Sequence, residues 1–196
     1  MHASIWPGTL ASFCEEVAGS NPAPAAVAAS AVTASLGLSL LIKVLEITGR
    51  RKSFAGDAQR VRALIDGAHR ALAELKRTAD DDIQAVRFYV GSKDPAGARD
   101  AIDVPLRAAR AACTGLDLCV EGADVRGVTS GLPAADFCAA VYMLSTAVRA
   151  ILLSVTFNLR QFDGDVSYRA AVEAEGRDLA ARSARQTEAA LKAVLS

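Results

Sequence analysis

The stretch that decides the fold of this chain, residues 20–49, reads S-N-P-A-P-A-A-V-A-A-S-A-V-T-A-S-L-G-L-S-L-L-I-K-V-L-E-I-T-G. No charged residue lies between Glu16 and Lys43. Pro24 suits the first turn of a helix, where its missing N–H is not needed, and a glycine ends the stretch as a good C-terminal stop. A helix that is apolar on nearly every side has to be buried. We therefore predict a buried helix over residues 25–48, with close backbone packing along its Ala- and Ser-rich first half.

The same stretch is long enough to span a bilayer. Its Ala and Ser residues gain little from lipid compared with Leu or Phe, although small residues spaced four apart also pack membrane helices together. We favour the central helix of a soluble protein and expect no membrane partner. The start, M-H-A-S-I-W-P-G, lacks the basic region and apolar core of a signal peptide.

Composition indicates one all-helical domain over residues 1–196. The chain is rich in Ala, poor in aromatics and nearly devoid of the alternating patterns of strands. Its 22 basic and 22 acidic residues balance, which gives no reason to expect nucleic acid as a partner. The four cysteines form no C-x-x-C pair, so we expect mostly buried, reduced thiols in a cytoplasmic protein.

The spacing of apolar residues predicts a bundle of about six helices, two of them long and buried. The first has Thr9 as its N-cap and an apolar stripe of Leu10, Phe13, Cys14 and Val17. The other predicted segments are the buried helix over 25–48, a helix from Ser53 to Tyr89 that ends before a loop opened by Gly91, a helix capped by Asp94 that Pro105 kinks or restarts, a second buried helix from Pro133 to Arg160, and a charged surface helix over 167–195. Two long apolar helices in one modest domain also predict a homodimer.

Three polar groups are candidates for chemistry. Asp136 falls in the predicted first turn of the second buried helix, where it is either a helix-terminal charge or a general base. Lys43 and Glu46 form either an i,i+3 pair or, with the serines one turn earlier, a polar pocket face. The basic cluster Arg50, Arg51 and Lys52 follows a helix C-terminus, where cations are favoured in any case, and the less favoured alternative is a site for a carboxylated ligand. His69 has no ligand partner at metal spacing, so we predict no metal site.

Several phrases in order resemble the cyclodeaminase/cyclohydrolase family, which includes the cyclodeaminase half of formiminotransferase-cyclodeaminase and bacterial methenyltetrahydrofolate cyclohydrolases. The similar phrases are Phe13 to Ser20 with Pro22-Ala23-Pro24, Glu46-Ile47-Thr48-Gly49-Arg50-Arg51-Lys52, Asp82-Ile83-Gln84-Ala85-Val86, Val104-Pro105-Leu106, and Ala135-Asp136-Phe137-Cys138 followed by Arg149 and Asn158. The glycine triplet of the family is replaced by Ala25-Ala26-Val27, whose Cβ atoms fill space that glycine would leave to a ligand.

The resemblance implies an all-helical homodimer with a folate cleft near the subunit interface. It implies hydrolysis of the one-carbon bridge of 5,10-methenyltetrahydrofolate, or loss of ammonia from the formimino form, with the folate as substrate and no other cofactor or metal. Asp136 is the first choice for handling the proton and Asp82 the second. Arg50, Arg51 and Lys52 would receive the glutamate carboxylates, and Ala25, Ala26, Arg149 and Asn158 complete the implied ligand site. The alternative is a non-catalytic helical dimer that binds a pterin-like molecule or a protein partner, which the lost glycines favour and the retained Asp136, Asp82 and Arg149 oppose.

Overall fold

A computed structural model describes residues 4–92 and 95–195 of the chain, and within these ranges every regular element is an α-helix. The six helices are α1 (Leu10–Ala18), α2 (Ala26–Gly49), α3 (Ala58–Ser92), α4 (Pro95–Ala123), α5 (Leu132–Arg160) and α6 (Val166–Leu195). The predicted all-α class and number of helices are confirmed.

Helices α2 and α5 form the centre of the bundle and run antiparallel to each other. Near the middle of α2, Gly37 lies against Ala140 and Leu144 of α5, and farther along α2, Lys43 reaches back to Asp136. Helix α3 packs on α2 and α4, while α6 covers α4 and α5. Leu38, Leu41, Phe137, Leu144 and Ile151 are fully buried between them.

The small residues of α2 allow its close approach to α5. A Cβ atom built on Gly37 would lie 3.1 Å from the carbonyl oxygen of Ala140 and 3.2 Å from the Cγ of Leu144. Such distances are shorter than ordinary van der Waals contact, so a side chain at this position would push the two helices apart. The predicted close packing is therefore present.

Both central helices keep one apolar side at the surface. Large exposed side chains include Leu36 and Ile47 on α2 and Tyr142, Leu153 and Phe157 on α5. Both helices are also long and apolar enough to span a membrane. The core helices of soluble proteins often have the same length and composition.

Several local predictions were wrong. Helix α3 begins at Ala58, after Asp57 has accepted hydrogen bonds from the amides of Gln59 and Arg60, and it continues through Gly91. A single glycine costs a long helix only about 1 kcal/mol, which 34 other helical residues readily offset. The predicted cap at Asp94 lies outside the described residues.

Helices α1 and α6 also differ from the expected pattern. Thr9 caps α1 as predicted, accepting from the amide of Ser12 at 3.0 Å, but α1 contributes no buried residue, and Leu10 is 65% exposed. Helix α6 is charged on its outer side, yet Val172, Leu179 and Ala190 enter the core. Of the four free cysteines, Cys113 and Cys119 are buried.

Candidate active site

Three consecutive carboxylates on α3, Asp80, Asp81 and Asp82, have three different environments. Asp80 accepts a hydrogen bond from the amide of Ile5 at 3.1 Å and so fixes the N-terminal segment. Asp81 pairs with Arg107 of α4 at 2.9 Å. Asp82 points into the protein toward the start of α2. Only the third is both buried and free of a cationic partner among the described residues.

Asp82 is 2% exposed and accepts a hydrogen bond from the backbone N–H of Ala28, in the first turn of α2. Burial disfavours the ionised carboxylate and raises its pKa to about 7, while the hydrogen bond from Ala28 opposes the shift. A carboxyl group with a pKa near neutrality can take up and release a proton under physiological conditions, which is what a general acid or base must do.

The N-terminus of α2 has no cap from its own sequence. Ala25, the N-cap residue, has extended backbone geometry and no side chain that can accept from the first-turn amides, so Asp82 supplies an acceptor from the neighbouring helix. Ala26 is exposed, whereas the side chain of Val27 is buried. Of the two predicted ligand residues, Ala26 therefore faces solvent and Ala25 is partly covered.

Asn158 of α5 has a defined partner at this same end of the bundle. Its Nδ2 donates to the carbonyl oxygen of Ala101 at 2.6 Å. That carbonyl belongs to the residue four positions before Pro105, which has no N–H to donate to it. Asn158 thus replaces the hydrogen bond that the proline removes, and α4 runs through Pro105 without restarting.

The second carboxylate, Asp136, lies toward the other end of α2. It is the fifth residue of α5, beyond the first turn, so the predicted helix-terminal position was wrong. Its Oδ2 accepts a hydrogen bond from Lys43 Nζ at 2.7 Å, with the two side chains 36% and 55% exposed. Glu46 pairs with Arg50 at 2.7 Å, so the predicted pairing of Lys43 with Glu46 was also wrong.

The remaining predicted groups do not form a pocket around this pair. Ser35 and Ser39 donate their hydroxyls to carbonyls of their own helix, Ala31 and Ser35, which argues against the polar pocket face. The cationic side chains that follow α2 are exposed at the surface, beyond Lys43 along the chain. They are Arg50, Arg51 and Lys52.

The predicted site residues therefore form two groups within one chain. Ala28, against Asp82, and Lys43, against Asp136, are 15 positions apart on α2. At 1.5 Å per residue this places them roughly 22 Å from each other. Arg149 belongs to neither group, because it is exposed on the side of α5 that faces α6.

Sequence reasoning missed the contact between Lys43 and Asp136. The two residues are 93 positions apart, and no local spacing joins them. The available signal was that each residue interrupts an otherwise apolar helix, since an ionised group beside a core favours a partner of opposite charge.

Among the described residues, no three His, Cys, Asp or Glu side chains cluster closely enough to hold a metal ion, and His69 is exposed.

The fold and the placement of these polar groups define a class of helical bundle with candidate acid–base residues at both ends of its central helix. A family model described as formiminotransferase-cyclodeaminase matches residues 9–178, and the chain belongs to this family. The crystal structure of formiminotetrahydrofolate cyclodeaminase from Thermotoga maritima has the same fold. Its TM-score is 0.90 at 17% sequence identity, covering 97% of this chain and 98% of that chain. No curated protein matches the chain by sequence.

Proposed function

We propose that this protein catalyses a cyclohydrolase or cyclodeaminase reaction at the one-carbon bridge of a reduced folate. The observation that carries the proposal is Asp82, a buried carboxyl group with a pKa of about 7 against the first turn of α2, in a chain of this family. Asp136 and Lys43 supply a second carboxylate and a cation on the same helix pair.

Either reaction requires few groups from the protein. In the cyclohydrolase direction, water adds to the cationic methenyl carbon, a carboxylate takes up the released proton, and one carbon–nitrogen bond of the ring then opens. In the cyclodeaminase direction, the exocyclic amine N10 attacks the formimino carbon and gives its proton to a base, and a carboxylic acid protonates the departing ammonia. Positioning and one well-placed carboxyl group suffice for both reactions, so we propose that no metal or further cofactor takes part.

One subunit does not bring the two carboxyl groups together, since they lie near opposite ends of α2. We therefore propose a homodimer in which the apolar sides of α2 and α5 pack against a second copy. Exposed Leu36, Ile47, Tyr142 and Phe157 supply apolar surface for such an interface. A two-fold axis across the middle of α2 sets Asp82 of one subunit near Asp136 and Lys43 of the other.

In this arrangement the basic cluster that follows α2 reaches the cleft from the partner, where Arg50, Arg51 and Lys52 receive the glutamate carboxylates of the folate. Ala26 lines the cleft, and Asn158 supports it by holding α4 in place, whereas Arg149, on the side of α5 that faces α6, lies outside it. We further propose a cytoplasmic protein with neither nucleic acid nor membrane as a partner, because its charge is balanced and both apolar helices also pack into one core.

The test is the decay of 5,10-methenyltetrahydrofolate, followed by absorbance against the buffer rate, and ammonia release from 5-formiminotetrahydrofolate. A shared site makes a specific prediction for mixed dimers of Asp82→Asn and Asp136→Asn chains. Each pure variant is inactive, whereas random mixing leaves one intact site in half of the dimers and restores about a quarter of wild-type activity. No rate above buffer on either substrate would contradict the proposal.

The burial of Asp82 supports a second candidate, a non-catalytic dimer that binds a pterin-like ligand or a protein partner. At 2% exposure its carboxyl group is closed to solvent, and Val27 fills space where the family has glycine. Calorimetry with 5-formyltetrahydrofolate separates the two functions, because the non-catalytic protein binds a folate without turning over either substrate.

A further inference from the structure

A groove runs along the side of α5 that faces α6, between the C-terminal half of α5 and the N-terminal half of α6. Its volume is about 630 Å³. Leu152, Val155, Leu159 and Val172 form a largely buried apolar floor. This size and floor are typical of sites for small organic molecules.

Four arginines lie along the groove against a single acid. They are Arg149, Arg160, Arg169 and Arg177, and the acid is Glu173. Arg169 donates to the carbonyl of Phe162, and Arg160 lies over the ring of Phe157 at 5.1 Å. None of the four forms an ion pair with a described residue, and Arg149 and Arg177 show no polar contact within that part of the chain.

The other side of α6 behaves differently. Where α6 packs on α4, Arg110 pairs with Glu175, and Arg182 pairs with Asp117. The arginines between α4 and α6 are thus neutralised within the protein. Those of the groove keep their positive charge for a ligand, with three positive charges in excess over the whole lining.

Gly176 keeps the groove open. A Cβ atom built on Gly176 would meet no heavy atom within 4 Å, so packing inside the protein does not require glycine here. Glycine in the interior of a helix is less stable than alanine. Its place in the groove wall lets a ligand lie close to the backbone of α6.

We propose that this groove binds a small amphipathic anion, whose carboxylate or phosphate head is held by Arg149 and Arg177 and whose apolar body covers the floor. Guanidinium groups bind both kinds of head through charge-assisted hydrogen bonds. The floor and one wall lie on α5 and α6, away from α2, so the site does not depend on the proposed folate reaction.

The experiment uses the fluorescence of 1-anilinonaphthalene-8-sulfonate with the purified full chain. The probe should bind at one site per subunit and be displaced by octanoate and by octyl phosphate, whose relative affinities show which head is preferred. Octyltrimethylammonium has the same tail with the opposite charge and should not displace it. Inorganic phosphate should compete far more weakly than octyl phosphate, because it lacks the apolar body that covers the floor.

Two variants test the assignment, each with a matched control. Arg177→Gln should weaken binding of the probe about tenfold by removing a charge-assisted contact, while Arg185→Gln, on an exposed position of α6 outside the groove, should not. Gly176→Leu should abolish binding by filling the groove, whereas Ala174→Leu puts the same side chain on α6 outside it. Thermal melts confirm that all four variants fold.

Three results would overturn the proposal. Equal displacement by the cationic amphiphile would show that only the apolar floor binds. Unchanged affinity in both Arg177→Gln and Gly176→Leu would place the probe elsewhere. Complete displacement by 5-formyltetrahydrofolate would make the groove part of the folate site and not a separate one.

Discussion

The two ends of α2 hold carboxyl groups in opposite environments. At the N-terminal end Asp82 is 2% exposed, faces a backbone amide and has a pKa near 7. Toward the C-terminal end Asp136 is partly exposed and forms an ion pair with Lys43. The same kind of side chain thus lies in a buried environment beside a backbone amide at one end and in an open ion pair at the other, and the apolar helix between them keeps the two apart.

In the proposed homodimer, this division means that one subunit alone holds only half of each site. Burial that tunes Asp82 also closes it to substrate, while the exposure that opens Asp136 to substrate leaves it in water, where ion pairs are weak. A second subunit that covers the surface of α2 would exclude water from around Asp136 and so strengthen its ion pair with Lys43. The predictions below test each end of the helix and the rigid segment between them.

The largest effect is expected from Asp136→Asn. Asn cannot accept a proton as a carboxylate does, and a general base contributes about 10²–10⁴-fold, so cyclohydrolase activity should fall by that factor. The free energy of unfolding should change by about 1 kcal/mol or less, because the side chain is partly exposed. Activity is read from methenyltetrahydrofolate decay and stability from urea denaturation. A variant as active as wild type would leave Asp136 only a surface charge.

Asp82 should make the protein less stable as pH rises. Its folded pKa of about 7 lies above its unfolded value of 3.8, so between these values the folded state binds more protons than the unfolded state. The free energy of unfolding should therefore fall by up to about 4 kcal/mol from pH 4 to pH 7, and the lost stability is not regained above pH 7.

Asp82→Asn should remove this slope, because the amide does not titrate. The control is Asp66→Asn, an exposed position on the same helix, which should keep the pH dependence of the wild type. The measurement is urea denaturation at half-unit steps of pH. The same slope in Asp82→Asn as in the wild type would show that another group titrates.

Gly37→Leu tests the segment between the two ends. The new side chain would meet the backbone of Ala140 at 3.1 Å, and overpacking a core costs about 1–3 kcal/mol, with contacts to backbone at the upper end. We expect a loss of about 3 kcal/mol, or failure to assemble, measured by thermal melting and light scattering. Gly91→Leu is the matched control, since a Cβ atom there meets nothing within 4 Å. Equal melting temperatures for wild type and Gly37→Leu would show loose packing.

The sequence was sufficient to predict the helices because their signals are local or nearly uniform along the chain. The uncharged run before Lys43 predicted burial of α2 whatever packed against it, and Thr9 predicted its own cap. The resemblance added a reason for Pro105 inside α4. Gly91 was misplaced because one glycine near the end of a long helix costs too little to stop it.

The site was less accessible to sequence reasoning because its contacts are long-range. The resemblance singled out Asp82, but nothing in D-D-D itself says which of the three acids is buried, because the answer depends on how α3 meets the start of α2. The pairing of Asp136 with Lys43 and that of Asn158 with Ala101 join residues on separate helices. Roles assigned to these residues in catalysis or binding stay predictions.

The link between Asn158 and Pro105 can be measured by a double-mutant cycle. Ala101 as a residue is 6% exposed, and Asn158→Ala leaves its carbonyl without a donor. The free energy of unfolding should therefore fall by about 2 kcal/mol. In a Pro105→Ala background the new backbone N–H can satisfy that carbonyl, so the same change should cost less than about 1 kcal/mol. Additive effects in urea denaturation would contradict this account and leave Asn158 for the ligand.

The smallest effect on stability is expected from Lys43→Met. A small change in stability allows any change in activity to be assigned to the lost charge. Met keeps most of the apolar length of Lys and removes the charge, and exposed ion pairs contribute about 0.2–1 kcal/mol. The melting temperature should therefore stay within about 3 °C of wild type.

If Lys43 positions Asp136 or a folate carboxylate, the activity of Lys43→Met should nevertheless fall clearly, while Lys43→Arg retains part of the activity. Lys192→Met makes the same change at an exposed position of α6 and serves as the control. A large loss of stability with unchanged activity would reverse the assignment, since the exposed pair would then stabilise the bundle and the buried Asp82 would be left as the acid–base group.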